Sequence, residues 1–189
     1  MAALAMIEGS AHVYGDNVDT DVIIPARYLT STDPDELATH CMEDLDRSFA
    51  ARVRPGDVIV AGRNFGGGSS REHAPLAIRG AGVACVVAES LARIFFRNAI
   101  NVGLPVVECP GVSGGAQPGD QFRVDLDRGV VENVSRGLSY PATLLPGFMR
   151  EILDAGGLMP WVKGQLSASG AVRVGVPASE PPQADWRLD

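Results

Sequence analysis

Two serines and an arginine follow three consecutive glycines in NFGGGSSREHAP, residues 64–75. Gly66, Gly67 and Gly68 allow a backbone with φ > 0 and a close approach to a bound group. Ser69, Ser70 and Arg71 then supply two hydroxyls and a guanidinium fork, a donor set suited to a carboxylate. A plain Gly-Ser turn with a helix cap needs only one hydroxyl. Two hydroxyls and a cation on three flexible residues point instead to anion binding.

The elements that must position these groups lie on either side. Asp57–Ala61 (DVIVA) is a short apolar run with β-branched residues, the pattern of a buried strand. A helix is expected to start near Ser70–Ala74. Glu72 stands three residues after Ser69, the spacing of a capping box, and Pro75 suits the first turn because it has no N–H to lose there. Strand, glycine loop and helix N-terminus together aim unpaired N–H groups and the positive end of the helix dipole at one spot.

Upstream, AHVYGDNVDTDVIIP (residues 11–25) reads as a strand, a turn rich in Asp and Asn, and a second strand starting at Val22–Ile24. Asp16 and Asp19 read as a solvated turn, since the later glutamate of a calcium loop is missing. Residues 26–32 form a polar loop. A helix follows with Asp33 as N-cap, Pro34 at its first position and Glu36 closing a capping box, its apolar stripe made by Leu37 and Cys41 or Met42.

Val83–Val87 and Leu104–Val107 read as further strands around a helix at 90–101, capped by Ser90, with Leu91, Ile94, Phe95 and Ala99 on its buried face and Arg93 and Arg97 opposite. Strand, helix, strand, helix, strand implies βαβ crossovers and a parallel section of sheet. Residues 119–135 alternate as an antiparallel hairpin turning at Asp127–Gly129. PGFMREILDAGG then gives one more helix, from Pro146 to Gly156 or Gly157. The fold class is therefore α/β, one domain over residues 1–163, with 164–189 a flexible tail or a strap across a neighbour.

Charge and composition narrow the function classes. The chain has 189 residues, 46% hydrophobic and 21% charged, with a net charge of −7. Without a basic cluster it fits neither nucleic acid nor an anionic membrane. No apolar run approaches the ~20 residues of a transmembrane helix, and the N-terminus lacks the regions of a signal peptide, which predicts a cytosolic protein. Cys41, Cys85 and Cys109 are scattered, without a disulfide framework or the tight spacing of metal ligands. Cys85, inside GVACVVA, reads as a small buried hydrophobe.

NFGGGSSREHAP, together with GDNVDTDVIIPARYL upstream, resembles the small subunit of 3-isopropylmalate dehydratase and its homoaconitase relatives, which correspond to the swivelling domain of aconitase. The resemblance covers about residues 8–163 and implies an aconitase-like swivelling domain with a mixed sheet in β/β/α layers. It implies a hydro-lyase that isomerises a small hydroxy-diacid by removing and re-adding water, as in leucine biosynthesis, with a [4Fe-4S] cluster on a separate large subunit and none in this chain.

Within that resemblance, Ser69 matches the catalytic serine and Asp21 the active-site aspartate. Ser70 and Arg71 match substrate-binding positions. Tyr28, Leu29, Thr30 and Ser31 match the loop that meets the variable part of the substrate, where homoaconitase-type members carry an arginine at the place of Thr30. Arg27, nearby, is expected to face solvent or the partner. His73 is expected to orient backbone in the first helical turn, and Gly67 stands where relatives commonly carry cysteine. The alternatives are a homoaconitase, a dimethylmalate- or citraconate-type hydratase, or, from another class, a non-catalytic anion-binding module.

Overall fold

The computed structural model describes residues 6–168. Its frame is a seven-stranded mixed sheet in the order β4-β3-β2-β1-β5-β6-β7. The strands are β1 (Met6–Tyr14), β2 (Val58–Ala61), β3 (Cys85–Ala88), β4 (Val106–Glu108), β5 (Gln121–Asp125), β6 (Val130–Asn133) and β7 (Leu138–Pro141). β1 serves two sections: Ala11–Tyr14 pairs parallel with β2, while Met6–Ser10 pairs antiparallel with β5. β2, β3 and β4 continue the parallel section, and β5, β6 and β7 form an antiparallel meander.

β2 and β3 are buried at every position, so the apolar runs that read as two-sided strands are two-sided. One face, with Ile59, Ala61, Val86 and Ala88, packs on the helical layer through Leu37, Ala77, Phe95 and Leu153. The other, with Val58, Val60, Cys85 and Val87, packs on Phe122, Val124 and Val131 of the meander. The result is the β/β/α layering that the family resemblance implies. β7 was not anticipated; it is an edge strand ending in proline, with little apolar alternation to announce it.

The helices are α1 (Thr20–Ile23), α2 (Pro34–Thr39), α3 (Phe49–Arg52), α4 (His73–Gly80), α5 (Arg93–Val102), α6 (Gly147–Asp154) and α7 (Leu158–Ala168). Several local expectations are corrected. Val22–Ile24 does not start a strand: Asp19 accepts from the Asp21 amide at 2.7 Å and caps the single turn α1. Ser90 does not cap α5, which has Ala92 at its N-cap; the Ser90 hydroxyl accepts from the Asn64 amide at 2.9 Å. Ile94 is 48% exposed, whereas Leu91, Phe95 and Ala99 are buried.

Asp33 caps α2 as expected, accepting from the Asp35 amide at 3.0 Å, with Pro34 at the first position. Glu36 does not return directly to the Asp33 amide. It accepts from the Ser31 hydroxyl at 2.6 Å, and that oxygen in turn accepts from the Asp33 amide at 3.2 Å. The polar loop before α2 contains a short 3-10 turn at Ala26–Tyr28. α7 runs through position 164, where the tail was expected to begin, and the remainder of that expected tail, 169–189, lies outside the described residues.

Candidate active site

The loop between β2 and α4 is eleven residues long, and it is sewn to the turn after β1 rather than left to itself. Asp16 Oδ1 accepts from the Arg63 amide at 2.7 Å, and Gly66 N donates to Val18 O at 2.7 Å. Thr20 N donates to Gly67 O at 2.9 Å, and the Thr20 hydroxyl donates to Ser69 O at 2.9 Å. Asn64 Nδ2 donates to Asn17 Oδ1 at 3.0 Å, with both asparagines in the left-handed region. Asp16 is therefore an anchor of the loop and not merely part of a solvated turn, and Asp19 forms a parallel bridge with Gly67.

Gly66 and Gly68 are held at φ +76° and +85°. A side chain on Gly66 would overlap the Phe95 ring, and one on Gly68 would overlap the Asp19 carboxylate. At these two positions the chain must carry glycine on both steric and conformational grounds. Gly67 differs: its φ is not positive, and an added Cβ would meet only the Asn64 side chain, 3.0 Å from Nδ2.

The capping box is absent. α4 begins at His73 with Glu72 at its N-cap and no side-chain cap, and Pro75 lies in its first turn. Ser69 and Ser70 are exposed upstream of that helix, and neither hydroxyl makes a hydrogen bond among the described residues. The amides from Ser69 to Glu72 likewise donate to no described acceptor. Two hydroxyls, four amides and an uncapped helix end are thus open to a ligand, and donors in this arrangement favour an oxyanion.

Arg71 reaches back across the site. Its side chain is 14% exposed, and NH1 forms an ion pair with Asp21 Oδ1 and donates to Ile24 O at 3.3 Å. The Nε and NH2 edge makes no hydrogen bond with a described residue. Asp21, Ser69, Arg71 and the glycine loop are therefore brought together. His73 is corrected: it makes no hydrogen bond to the backbone, and its Nε2 is buried without a partner.

The loop 28–31 is not bonded to the serines. Tyr28 stacks on His40 with ring centroids 3.6 Å apart, and its hydroxyl donates to Glu43 Oε1 at 3.1 Å. Arg27 lies over the Tyr28 ring as a cation, 4.8 Å from the centroid, and pairs with Glu43 at 2.8 Å and Asp44 at 2.7 Å. The Arg27 bond, helped by His40, holds the Glu43 carboxyl down at about 2. Leu29 packs partly buried on the helical core, and Thr30 is exposed with no bonded partner. Ser31 is engaged by Glu36.

The three cysteines are all buried, Cys41 beneath the helical layer and Cys85 and Cys109 between the sheet sections. Burial pushes the Cys109 thiol up to about 12, and raises the other two as well. No three His, Cys, Asp or Glu side chains are grouped to hold a metal ion among the described residues.

The family model of the aconitase C-terminal domain matches residues 15–110, which include both stitched loops and α4. The 3-isopropylmalate dehydratase small subunit of Halothermothrix orenii is 58% identical over 160 residues, 85% of this chain and 97% of that protein. The chain belongs to the 3-isopropylmalate dehydratase small-subunit family. Another member of this small-subunit family, from Moorella thermoacetica, is 56% identical over 164 residues, 87% of this chain and 99% of its own. The solved structure of 3-isopropylmalate dehydratase from Methanocaldococcus jannaschii has a TM-score of 0.83 at 46% identity, covering 87% of this chain and 98% of that one.

Of the residues that matter, the sequence concealed Asp16, Asp19, Thr20 and Asn64. Asp16, Thr20 and Asn64 work across 26 to 49 positions of chain, while Asp19 forms a bridge with Gly67. For Asp16, Asp19 and Thr20 the only local signal was the density of Asp, Asn and Thr in DNVDTD.

Proposed function

We propose that this chain is the small subunit of an enzyme that interconverts 2-isopropylmalate and 3-isopropylmalate by removing water and adding it back, assembled with a separate large subunit. The observation that carries the reading is the open donor loop 69–72, with Arg71 held beside it by Asp21. A hydroxy-diacid presents one carboxylate to the free edge of the Arg71 fork and to Ser70, and the carbon that loses a proton faces Ser69. Ser69 Oγ takes that proton as an alkoxide and returns it on rehydration.

A serine is a poor base in water. Here the neighbouring amides, the uncapped start of α4 and the Arg71 charge stabilise the anion and bring the hydroxyl's pKa toward the working range. Asp21 acts through Arg71, fixing which edge of the fork is free. The gly-loop anchors Asp19 and Asp16 keep the amides aimed at the ligand.

Departure of the hydroxyl needs a Lewis acid, which we assign to a [4Fe-4S] cluster on the large subunit. The described cysteines of this chain do not fit that group: all three are buried, Cys41 on the opposite side of the sheet from Cys85 and Cys109, and burial raises each thiol's pKa.

The choice of substrate rests on the loop 28–31. Thr30 offers no cation, and Arg27 is committed to Glu43 and Asp44. No second fork is therefore available there for an extra carboxylate, which favours an isopropyl group over the longer triacid of homoaconitase. Anaerobic co-expression with the large subunit, followed by assay on 2-isopropylmalate and homoaconitate, tests the reading. Turnover of isopropylmalate by the pair is expected. Preference for homoaconitate, or binding of anions without turnover, would overturn it.

A further inference from the structure

The segment after β3 runs against the glycine loop. Phe65 and Leu91 form a parallel bridge, Ala92 N donates to Phe65 O at 2.9 Å, and Gly66 rests on Phe95. From there α5 and residues 143–149 enclose a groove of about 610 Å³, walled by Leu91, Phe96, Leu145 and Met149. Leu144, on the same wall, is 57% exposed. Arg93 and Arg97, one turn apart on α5, line the same groove and make no hydrogen bond or ion pair with a described residue. Arg27 and Arg123, by contrast, each meet two carboxylates of this acidic chain. An apolar groove with aromatic, methionine and arginine lining is the composition of a protein interface.

We propose that this groove is where the large subunit docks, through an apolar side chain flanked by carboxylates that pair with Arg93 and Arg97. The proposal rests on the small-subunit reading. Continuity selects this occupant, because Leu91 is bonded into the loop that presents Ser69. A partner that completes the site must cover that loop, and the same face then meets the groove. A second copy fits less well: a two-fold contact centred on the groove would bring four arginines together.

The test uses the full chain as Arg93→Glu/Arg97→Glu and, separately, Leu144→Asp, with the Kd for the large subunit measured by interferometry at two salt concentrations. The charge reversal should weaken binding by about 30-fold or more and flatten its salt dependence. Leu144→Asp should cost about 10-fold. Melting temperature should hold, and kcat at saturating large subunit should stay within about twofold, since none of the three residues touches substrate. Wild-type binding matched by both variants overturns the groove alone and leaves the small-subunit reading intact. A wild-type chain that binds no large subunit overturns both. Variants that change the sedimentation of the free chain while Kd holds assign the groove to a second copy, which also overturns the proposal.

Discussion

Replacing Asp21 with Asn removes the carboxylate that pairs with Arg71 NH1 but leaves the backbone amide of residue 21 on Asp19 Oδ1 at 2.7 Å, so α1 keeps its cap. The Asp21 side chain is 55% exposed, and solvent screening keeps the loss of stability at or below ~1 kcal/mol. For a chain of this size that is a Tm change of no more than about 2–4 °C. Substrate binding should suffer more. Arg71 would retain only Ile24 O at 3.3 Å, a long bond that does not fix the plane of the fork. A charge-assisted bond to a carboxylate contributes ~1.5–3 kcal/mol. If ordering the freed guanidinium offsets about half of that, KM for isopropylmalate rises by about 3- to 12-fold, with kcat changed less. Steady-state kinetics of the assembled heteromer, with calorimetry on the same preparations, measures both. A KM that falls or stays constant would refute the reasoning, because it would mean that Asp21 competes with substrate for Arg71.

Gly68→Ala forces a side chain into φ +85° against the Asp19 carboxylate and should cost ~1–2 kcal/mol or more in urea unfolding. Gly67→Ala asks only for a small shift of Asn64 and should stay within about 1 kcal/mol; equal losses would contradict the distinction. Thr30→Arg should move relative kcat/KM toward homoaconitate by on the order of 10²-fold, since an unpaired buried carboxylate costs several kcal/mol, and an unchanged ratio would remove this loop from specificity. The Glu43 carboxyl is held at about 2 in the folded chain, below its ordinary value. Its contribution to the Arg27–Tyr28–His40 arrangement is therefore complete above about pH 4.3 and lost as pH falls through the folded value. NMR titration of the Tyr28 ring should show the stack surviving at about pH 4; release there would contradict the assignment.

The parallel section and the hairpin were legible because the apolar runs of β2 and β3 are short, β-branched and continuous, and because the meander's first two strands alternate on either side of a turn at Asp127–Gly129. The glycine loop was legible from composition alone. What escaped the sequence were choices made by distant partners. Val22–Ile24 has the side chains of a strand, but Asp19 caps the turn and sends the chain into α1. Ser69 and Glu72 have capping-box spacing, yet the Thr20 hydroxyl takes Ser69 O, and the helix starts later. Ser90 is claimed by Asn64, 26 positions away. α7 carries Pro160 in its first turn and Gly164 in its body, which hid it as tail-like sequence. Asp21 was named only through the family resemblance; its pairing with Arg71, 50 positions on, arises because β1 and β2 run parallel and bring the loops that follow them to one end of the sheet.

The central proposal is that Ser69 is the base; its hydroxyl makes no hydrogen bond among the described residues and so caps no helix there. The decisive measurement is kcat of Ser69→Ala, assembled with the same large subunit as the wild type, alongside the melting temperature of each chain. With no cap to lose, the variant should melt within about 2 °C of wild type while kcat falls by about 10²-fold or more. A kcat within a few-fold of wild type would contradict the account, whatever the melting temperature.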